Sequence, residues 1–110
     1  MALPEGVFAT SSSTDDWAPD EEVPGTDMHE LVHADGVWAG MTRVDKVEGP
    51  VKFTPDQREV AFVIEGSARI VVDGGGELNV KPGDFFSIPA GTETTWHITP
   101  PFKETWFFAD

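Results

Sequence analysis

The segment 83-GDFFSIPAGTETTWHI-98 contains the clearest structural pattern of the chain. A very short apolar run, residues 85–88, has turn-forming residues on both sides, Lys81-Pro82-Gly83-Asp84 before it and Pro89-Ala90-Gly91 after it. Proline presets one backbone angle and glycine tolerates positive φ, so both favour chain reversals. The pattern predicts a short strand between two tight turns, followed by a further strand over 94–99.

The same texture extends to both sides of this segment. Beyond Gly36, short runs rich in Val, Ile, Phe, Thr and Trp alternate with Gly and Pro, and no window has a helical period. Asp73-Gly74-Gly75-Gly76 lies between two such runs and predicts a hairpin. The predicted strands are 37–44, 60–64, 68–72, 77–80, 85–88, 94–99 and 103–108. Many short antiparallel strands predict an all-β sandwich or barrel.

Composition limits the classes of protein. The 110 residues suit one domain, and a net charge of −13 with only seven Lys and Arg argues against nucleic acid and anionic membranes as partners. No apolar run reaches the roughly 18 residues of a membrane span, and the N-terminus lacks the pattern of a signal peptide. The absence of cysteine excludes disulfides and thiolate metal sites. From the lack of an apolar span and of a signal-peptide pattern we predict a cytoplasmic protein.

The N-terminal segment differs from the rest. It is rich in Asp, Glu, Pro and Ser, and residues 1–30 contain no Lys or Arg. We predict an acidic, irregular leader over residues 1–27, followed by a β domain over 28–110. Phe8, Trp17 and Val23 leave open that parts of the leader pack on the domain or on a partner subunit.

Two spacings resemble the motifs of the cupins, a family of small β-barrels. The first cupin motif ends in a Glu and, seven positions later, a Gly, which Glu59 and Gly66 match. The second has a Gly, five residues, and Pro-x-Gly, which Gly83, Pro89 and Gly91 match. The resemblance spans about residues 36–108 and implies a single antiparallel, jelly-roll-like cupin β-barrel.

The metal-ligating histidines of the cupins have no counterparts here. Their positions are Lys52 and Thr54, or Phe53 and Pro55 by the shorter spacing, then Thr94, with Ile98 at the asparagine position. Only Glu59 remains from a site of three imidazoles and a carboxylate. We therefore predict no cofactor, with a divalent metal at a divergent site left open.

A subgroup of cupins is especially similar. Like the ureidoglycine aminohydrolase-like and ethanolamine-utilisation cupins, the chain has Gly36-Val37-Trp38, Glu65-Gly66, Trp96 and Lys103 in order. The ureidoglycine enzymes have two domains and metal ligands, which this sequence lacks. Their activity is therefore not implied.

The motif frame predicts a ligand site. If Thr94 points inward, strand alternation places Trp96 and Ile98 inside and His97 outside. A buried Glu59 must be paired, protonated or hydrogen-bonded, and we predict Lys103 as its partner, with a solvent-facing Lys103 as the alternative. The predicted ligand-binding residues are Trp96, Thr94, Glu59, Lys103 and Phe53. Trp96 either forms an aromatic wall for the ligand or simply fills the core. Glu59 and Lys103 are the candidate catalytic residues.

The three histidines are the remaining metal candidates. His29 and His33 are four residues apart and close to Glu30 and Asp35, a spacing that suits two metal ligands on one face of a helix. His97 and Glu59 are the other candidate metal ligands. Isolated histidines on a surface are the simpler interpretation.

Three functions follow from these patterns. The first is a metal-independent, small-molecule-binding cupin with an unidentified ligand. The second is an enzyme acting on a small nitrogenous metabolite, through a divergent metal site or a Glu59/Lys103 acid-base pair. The third is a structural or regulatory dimer with a filled barrel. In each case we expect a homodimer, because paired subunits cover strand edges.

Overall fold

The chain forms one antiparallel β structure in a computed structural model that describes residues 4–110. The first three positions of the predicted leader lie outside the described residues. The eight strands are β1 (Ala18–Pro19), β2 (Thr26–Ala34), β3 (Val37–Val44), β4 (Val51–Phe53), β5 (Arg58–Val72), β6 (Glu77–Val80), β7 (Phe85–Ile88) and β8 (Thr94–Ala109). Residues 4–110 contain no helix, so the predicted all-β class is confirmed.

Two long strands organise the sheet. β5 has 15 residues and β8 has 16, and they pair antiparallel along nearly their whole length. Each was predicted as two strands, because Gly66 in β5 and Pro100-Pro101 in β8 read as breaks. They are bends instead: Gly66 lies between register shifts, at φ 78°, and the chain continues as the same strand on either side.

The remaining strands flank this pair. The order is β1-β2-β3-β8-β5-β6, with β4 paired to the first half of β8 and β7 to the first half of β5. The predicted 73–76 hairpin joins β5 to β6, as Ala68 to Val71 pair with Glu77 to Val80. Among the described residues β1 and β6 do not pair, so the jelly-roll sheet is not closed by hydrogen bonds.

The core has two parts. The larger part includes Val63, Ile70 and Phe102, which are at most 2% exposed, and draws side chains from β3, β5, β6, β7 and β8. The smaller part contains Ala61, Trp106 and Phe108, with Trp38 packed against it. Burial alternates along β8, with even-numbered residues from Phe102 to Phe108 buried. This alternation directs the even-numbered side chains of β8 toward the interior.

Residues 10–17 of the N-terminal segment lie against the outer face of the sheet. The guanidinium of Arg43 lies 4.6 Å from the ring centroid of Trp17, and Lys103 Nζ donates to the carbonyl of Ser12 at 3.0 Å. β1 pairs with β2, and β2 begins at Thr26, so the strand crosses the predicted boundary between residues 27 and 28. The described part of the chain has no helix with the length and hydropathy needed to cross a membrane.

Candidate functional site

A cavity of about 720 Å³ lies on the inner side of the sheet. β2, β3, β4, β5 and β8 contribute to its walls, and residues 19–23 of the N-terminal segment contribute to its lining. A volume of this size is in the range of small-molecule pockets. The cavity is therefore the candidate site.

One wall of the cavity is aromatic. The rings of Trp38, Trp106 and Phe108, which we call the aromatic wall, lie with centroids 4.8–5.5 Å apart. Trp106 Nε1 donates to Thr42 Oγ1 at 2.8 Å, and Trp38 Nε1 donates to a carboxylate oxygen of Glu30 at 2.9 Å. Both indole N–H groups are thus engaged by the protein, and the wall offers a ligand ring surface rather than hydrogen-bond donors.

Two glutamates, Glu59 of β5 and Glu104 of β8, form an acidic pair inside the cavity. Their exposed fractions are 3% and 6%. Glu59 Oε1 and Glu104 Oε2 are buried and have no hydrogen-bond partner among the described residues. A buried acceptor without a hydrogen bond lowers the stability of the fold by about 1–3 kcal/mol, so the position of these two oxygens requires an explanation.

Burial also controls the ionisation of the acidic pair. Loss of hydration raises the pKa of Glu59 from 4.5 to about 7. The pKa of Glu104 is raised well above its ordinary value by burial and then by the negative charge of Glu59. Burial and mutual repulsion therefore favour the protonated forms of both carboxyl groups, and a nearby cation would favour the charged forms.

The titratable groups of the cavity lining are acidic, with one exception. Besides the acidic pair, four carboxyl groups line the cavity at exposed or half-buried positions, and we call them the acidic rim: Asp20, Glu21, Glu22 and Asp56. Among the described residues no Lys or Arg lines the cavity, and His33 is the one basic side chain there. The cavity therefore carries a negative potential.

The predicted Glu59–Lys103 pair is wrong. Lys103 lies on the outer face of β8, where its ammonium contacts Ser12 and lies 5.7 Å from the ring centroid of Trp17. Its neighbour Glu104 points inward instead, because adjacent residues of a strand face opposite sides. Carrying the alternation of Thr94 and Trp96 across Pro100-Pro101 would have identified Glu104. Because the two prolines predict an end of the strand, the predicted strands 94–99 and 103–108 did not carry the alternation through to Glu104.

The other predicted binding residues divide into two groups. Glu59, Phe53 and Trp96 line the cavity, together with Ile98. Thr94 is 4% exposed and outside the lining; its hydroxyl donates to the carbonyl of Phe53 at 2.6 Å and accepts from Trp96 Nε1 at 3.0 Å. The threonine at the histidine position thus joins β4 to β8 and orients the Trp96 indole.

The histidines are not brought together. A β-bulge between Glu30 and Val32 shifts the alternation of β2, so His33 faces the cavity and stacks on Trp38 at 5.3 Å. His29 lies on the other side of β2, where its ring nitrogens contact Thr10 Oγ1 at 2.8 Å and the carbonyl of Asp16 at 2.7 Å. The i,i+4 spacing therefore does not produce a metal-binding pair.

The metal site usual in cupins does not fit these residues. Lys52 and Phe53 are exposed, Thr94 uses its hydroxyl within the protein, and His97 lies on the face of β8 opposite Trp96. No group of three or more His, Cys, Asp or Glu side chains in residues 4–110 is arranged to hold a metal ion. A first-row metal needs several nitrogen, sulfur or oxygen ligands, which the cavity does not assemble.

Comparisons with known proteins agree with this fold. Residues 39–105 match the family model of the EutQ-like cupin domain. The structure is similar to KdgF from Halomonas sp. (TM-score 0.69, 19% identity, covering 86% of both chains) and to EutQ from Clostridium difficile (TM-score 0.66, 19% identity, covering 83% of this chain and 74% of that one). It also resembles an RmlC-like cupin from Methanocaldococcus jannaschii (TM-score 0.69, 14% identity, covering 98% and 93%). Among curated proteins, none matches the sequence. The chain belongs to the EutQ-like cupin family.

Proposed function

We propose that this cupin binds a small molecule in its inner cavity without the usual cupin metal. The observation that carries the proposal is the acidic pair, whose two unpartnered oxygens lie inside an aromatic-lined cavity of about 720 Å³. Pockets of this kind combine apolar walls with a few polar groups that orient the ligand. A barrel filled only for stability would not keep two unsatisfied acceptors in its interior.

An enzyme is the second candidate. Burial raises the pKa of Glu59 to about 7 and also raises the pKa of Glu104. Two carboxyl groups with raised pKa values in one cavity can serve as base and acid near neutral pH. Glu104 takes the place predicted for Lys103 as the partner of Glu59. Binding is the primary proposal because it needs only the cavity and the acceptors, whereas catalysis also needs a substrate positioned at them.

Ligand binding is expected to stabilise the protein and change its tryptophan fluorescence. Trp38, Trp96 and Trp106 line the cavity, and only Trp17 does not. A Trp17→Phe variant therefore reports from the cavity alone. Screened against a broad panel of cationic, neutral and anionic metabolites, a ligand present at 100 times its Kd should stabilise the fold by about 2.7 kcal/mol. If no compound of any charge class shifts either the Tm or the fluorescence, the proposal fails.

Metal content separates binding from a metal-dependent enzyme. We expect protein purified without a tag or chelators to contain far less than one transition metal per chain by elemental analysis, because the cavity lacks a three-ligand cluster among residues 4–110. About one metal per chain, removed by a chelator with loss of stability, would contradict the metal-independent proposal.

The predicted homodimer stays a prediction. The outer face of the sheet exposes three aromatic residues, Phe62, Phe85 and Phe107, with exposed fractions of 42%, 72% and 42%. Exposed apolar patches often mark interaction surfaces, and this one is separate from the cavity. We propose that this patch pairs two subunits. A cytoplasmic location stays a prediction from the sequence.

A further inference from the structure

We propose that the cavity selects a small organic cation that carries N–H donors, such as a primary ammonium or an amidinium group. The inference rests on the proposed function and specifies its ligand class. Three features of the same cavity lead to it: the charge of its lining, the unpartnered carboxyl oxygens, and the aromatic wall.

The charge of the lining favours a cation. The acidic pair and the acidic rim place six carboxyl groups on the cavity, and no Lys or Arg lines it among the described residues. The whole chain adds to this field with its net charge of −13. A concave site of one sign concentrates the opposite sign, and it repels ligands of its own sign. An anionic ligand would enter this cavity without a lysine or arginine among the described lining residues to bind it.

The unpartnered oxygens favour a donor. Glu59 Oε1 and Glu104 Oε2 belong to side chains that are more than nine-tenths buried, and the described protein supplies no donor to either atom. An ammonium carries three N–H donors, and an amidinium presents two in one plane. Hydrogen bonds between a charged donor and a carboxylate are shorter and roughly twice as strong as neutral ones. A cationic donor therefore satisfies both acceptors and compensates the buried charge.

The aromatic wall suits the body of the same ligand. Trp38 and Trp106 lie edge to face at 4.8 Å, and Trp38 and Phe108 stack at 5.5 Å. The indole N–H groups of Trp38 and Trp106 already donate to the protein. The rings therefore offer a ligand only their apolar surface and the negative potential of their faces. Such faces attract ammonium groups, with tryptophan the strongest of the aromatic side chains. A metal ion is disfavoured in comparison, since no three-ligand group exists in residues 4–110.

Four ligands with the same phenyl body test the ligand class. Benzylamine is a cation with N–H donors, benzyltrimethylammonium is a cation without them, benzyl alcohol is neutral, and benzoate is an anion. We expect benzylamine to bind the Trp17→Phe protein at neutral pH about tenfold more tightly than benzyl alcohol. Benzyltrimethylammonium should fall between them, and benzoate should not bind. Fluorescence titrations at constant ionic strength give the four affinities.

Substitutions of the acidic pair test the residues. Glu59→Gln and Glu104→Gln should each weaken benzylamine about tenfold while changing benzyl alcohol by less than about twofold. Glu65→Gln is the matched control, because Glu65 lies on the same strand as Glu59 but is exposed and outside the cavity lining. It should leave both affinities unchanged.

Three results would overturn the inference. They are equal or tighter binding of benzyl alcohol or benzoate, an equal loss of benzylamine affinity in Glu65→Gln, and displacement of benzylamine by micromolar zinc or manganese. Failure of all four probes at millimolar concentration would also overturn it. The proposed function would then still be decided by the broader panel, so the two failures can be distinguished.

Discussion

Gly66→Ala is expected to lower the free energy of unfolding by about 2–5 kcal/mol, which for a domain of this size removes much of its stability. Gly66 lies at φ 78°, a backbone conformation that costs free energy for residues other than glycine. A Cβ at this position would collide with the carbonyl oxygen of Pro101 and lie 2.9 Å from the Cα of Phe102. Both are backbone atoms of β8, so no side-chain rotation relieves the contact. Urea denaturation followed by far-UV circular dichroism measures the loss.

Gly76→Ala is the matched control for this substitution. Gly76 has φ 80°, almost the same as Gly66, but nothing lies within 4 Å of a Cβ built there. It should therefore show only the backbone strain, about 1–2 kcal/mol. The difference between the two variants isolates the close approach of β5 to β8 at the bend. Equal losses in Gly66→Ala and Gly76→Ala would mean that this approach does not constrain the fold.

The features that the sequence predicts correctly are local ones. Glu59, Gly66 and Pro89-Ala90-Gly91 were recognised from spacing, and the strands over 37–44, 77–80 and 85–88 have the predicted bounds. These features depend on local rules, because turn residues and strand alternation act within a few positions. The predicted family is confirmed for the same reason, as its motifs are short and lie in order along the chain.

The features that the sequence did not predict depend on strand irregularities and on contacts between distant parts of the chain. The polar segment that forms β2 has a bulge after Glu30, so no regular alternation reveals it in the sequence. Glu104 was missed because the alternation had to be followed through Pro100-Pro101, where the sequence suggests an end. The acidic rim combines the N-terminal segment with the residues after β4, and only the folded chain brings them to one cavity.

The free energy of unfolding is expected to fall by about 2–3 kcal/mol between about pH 5 and about pH 8. The folded-state pKa of Glu59 is about 7, above the ordinary 4.5. The stability that the protonated carboxyl contributes is therefore fully present below pH 4.5 and is lost as the pH rises through 7. Glu104, whose pKa is also raised, acts in the same direction. Urea denaturation at a series of pH values gives the slope.

Glu59→Gln should make this dependence shallower, and Glu65→Gln should keep it. Both substitutions remove one carboxyl from an acidic protein, so the general repulsion among the remaining charges changes equally in the two variants. Only the first removes a carboxylate that is 3% exposed and lacks a cation in the cavity. At about pH 8, Glu59→Gln should therefore be more stable than the unmodified protein by about 2–3 kcal/mol, and at about pH 5 the two should be nearly equal.

The direction of the Glu59→Gln change decides whether the acidic pair is unsatisfied in solution. If the carboxylate of Glu59 had a partner in the free protein, its removal would destabilise the fold at about pH 8, as the loss of one member of a buried pair normally does. A gain in stability means that the chain keeps a costly charge in its interior at neutral pH. Because most substitutions at buried positions destabilise, a gain here is the result that a merely structural role of Glu59 would not produce. A site that is costly when empty and relieved by a bound donor is the expected property of a binding site for a cation.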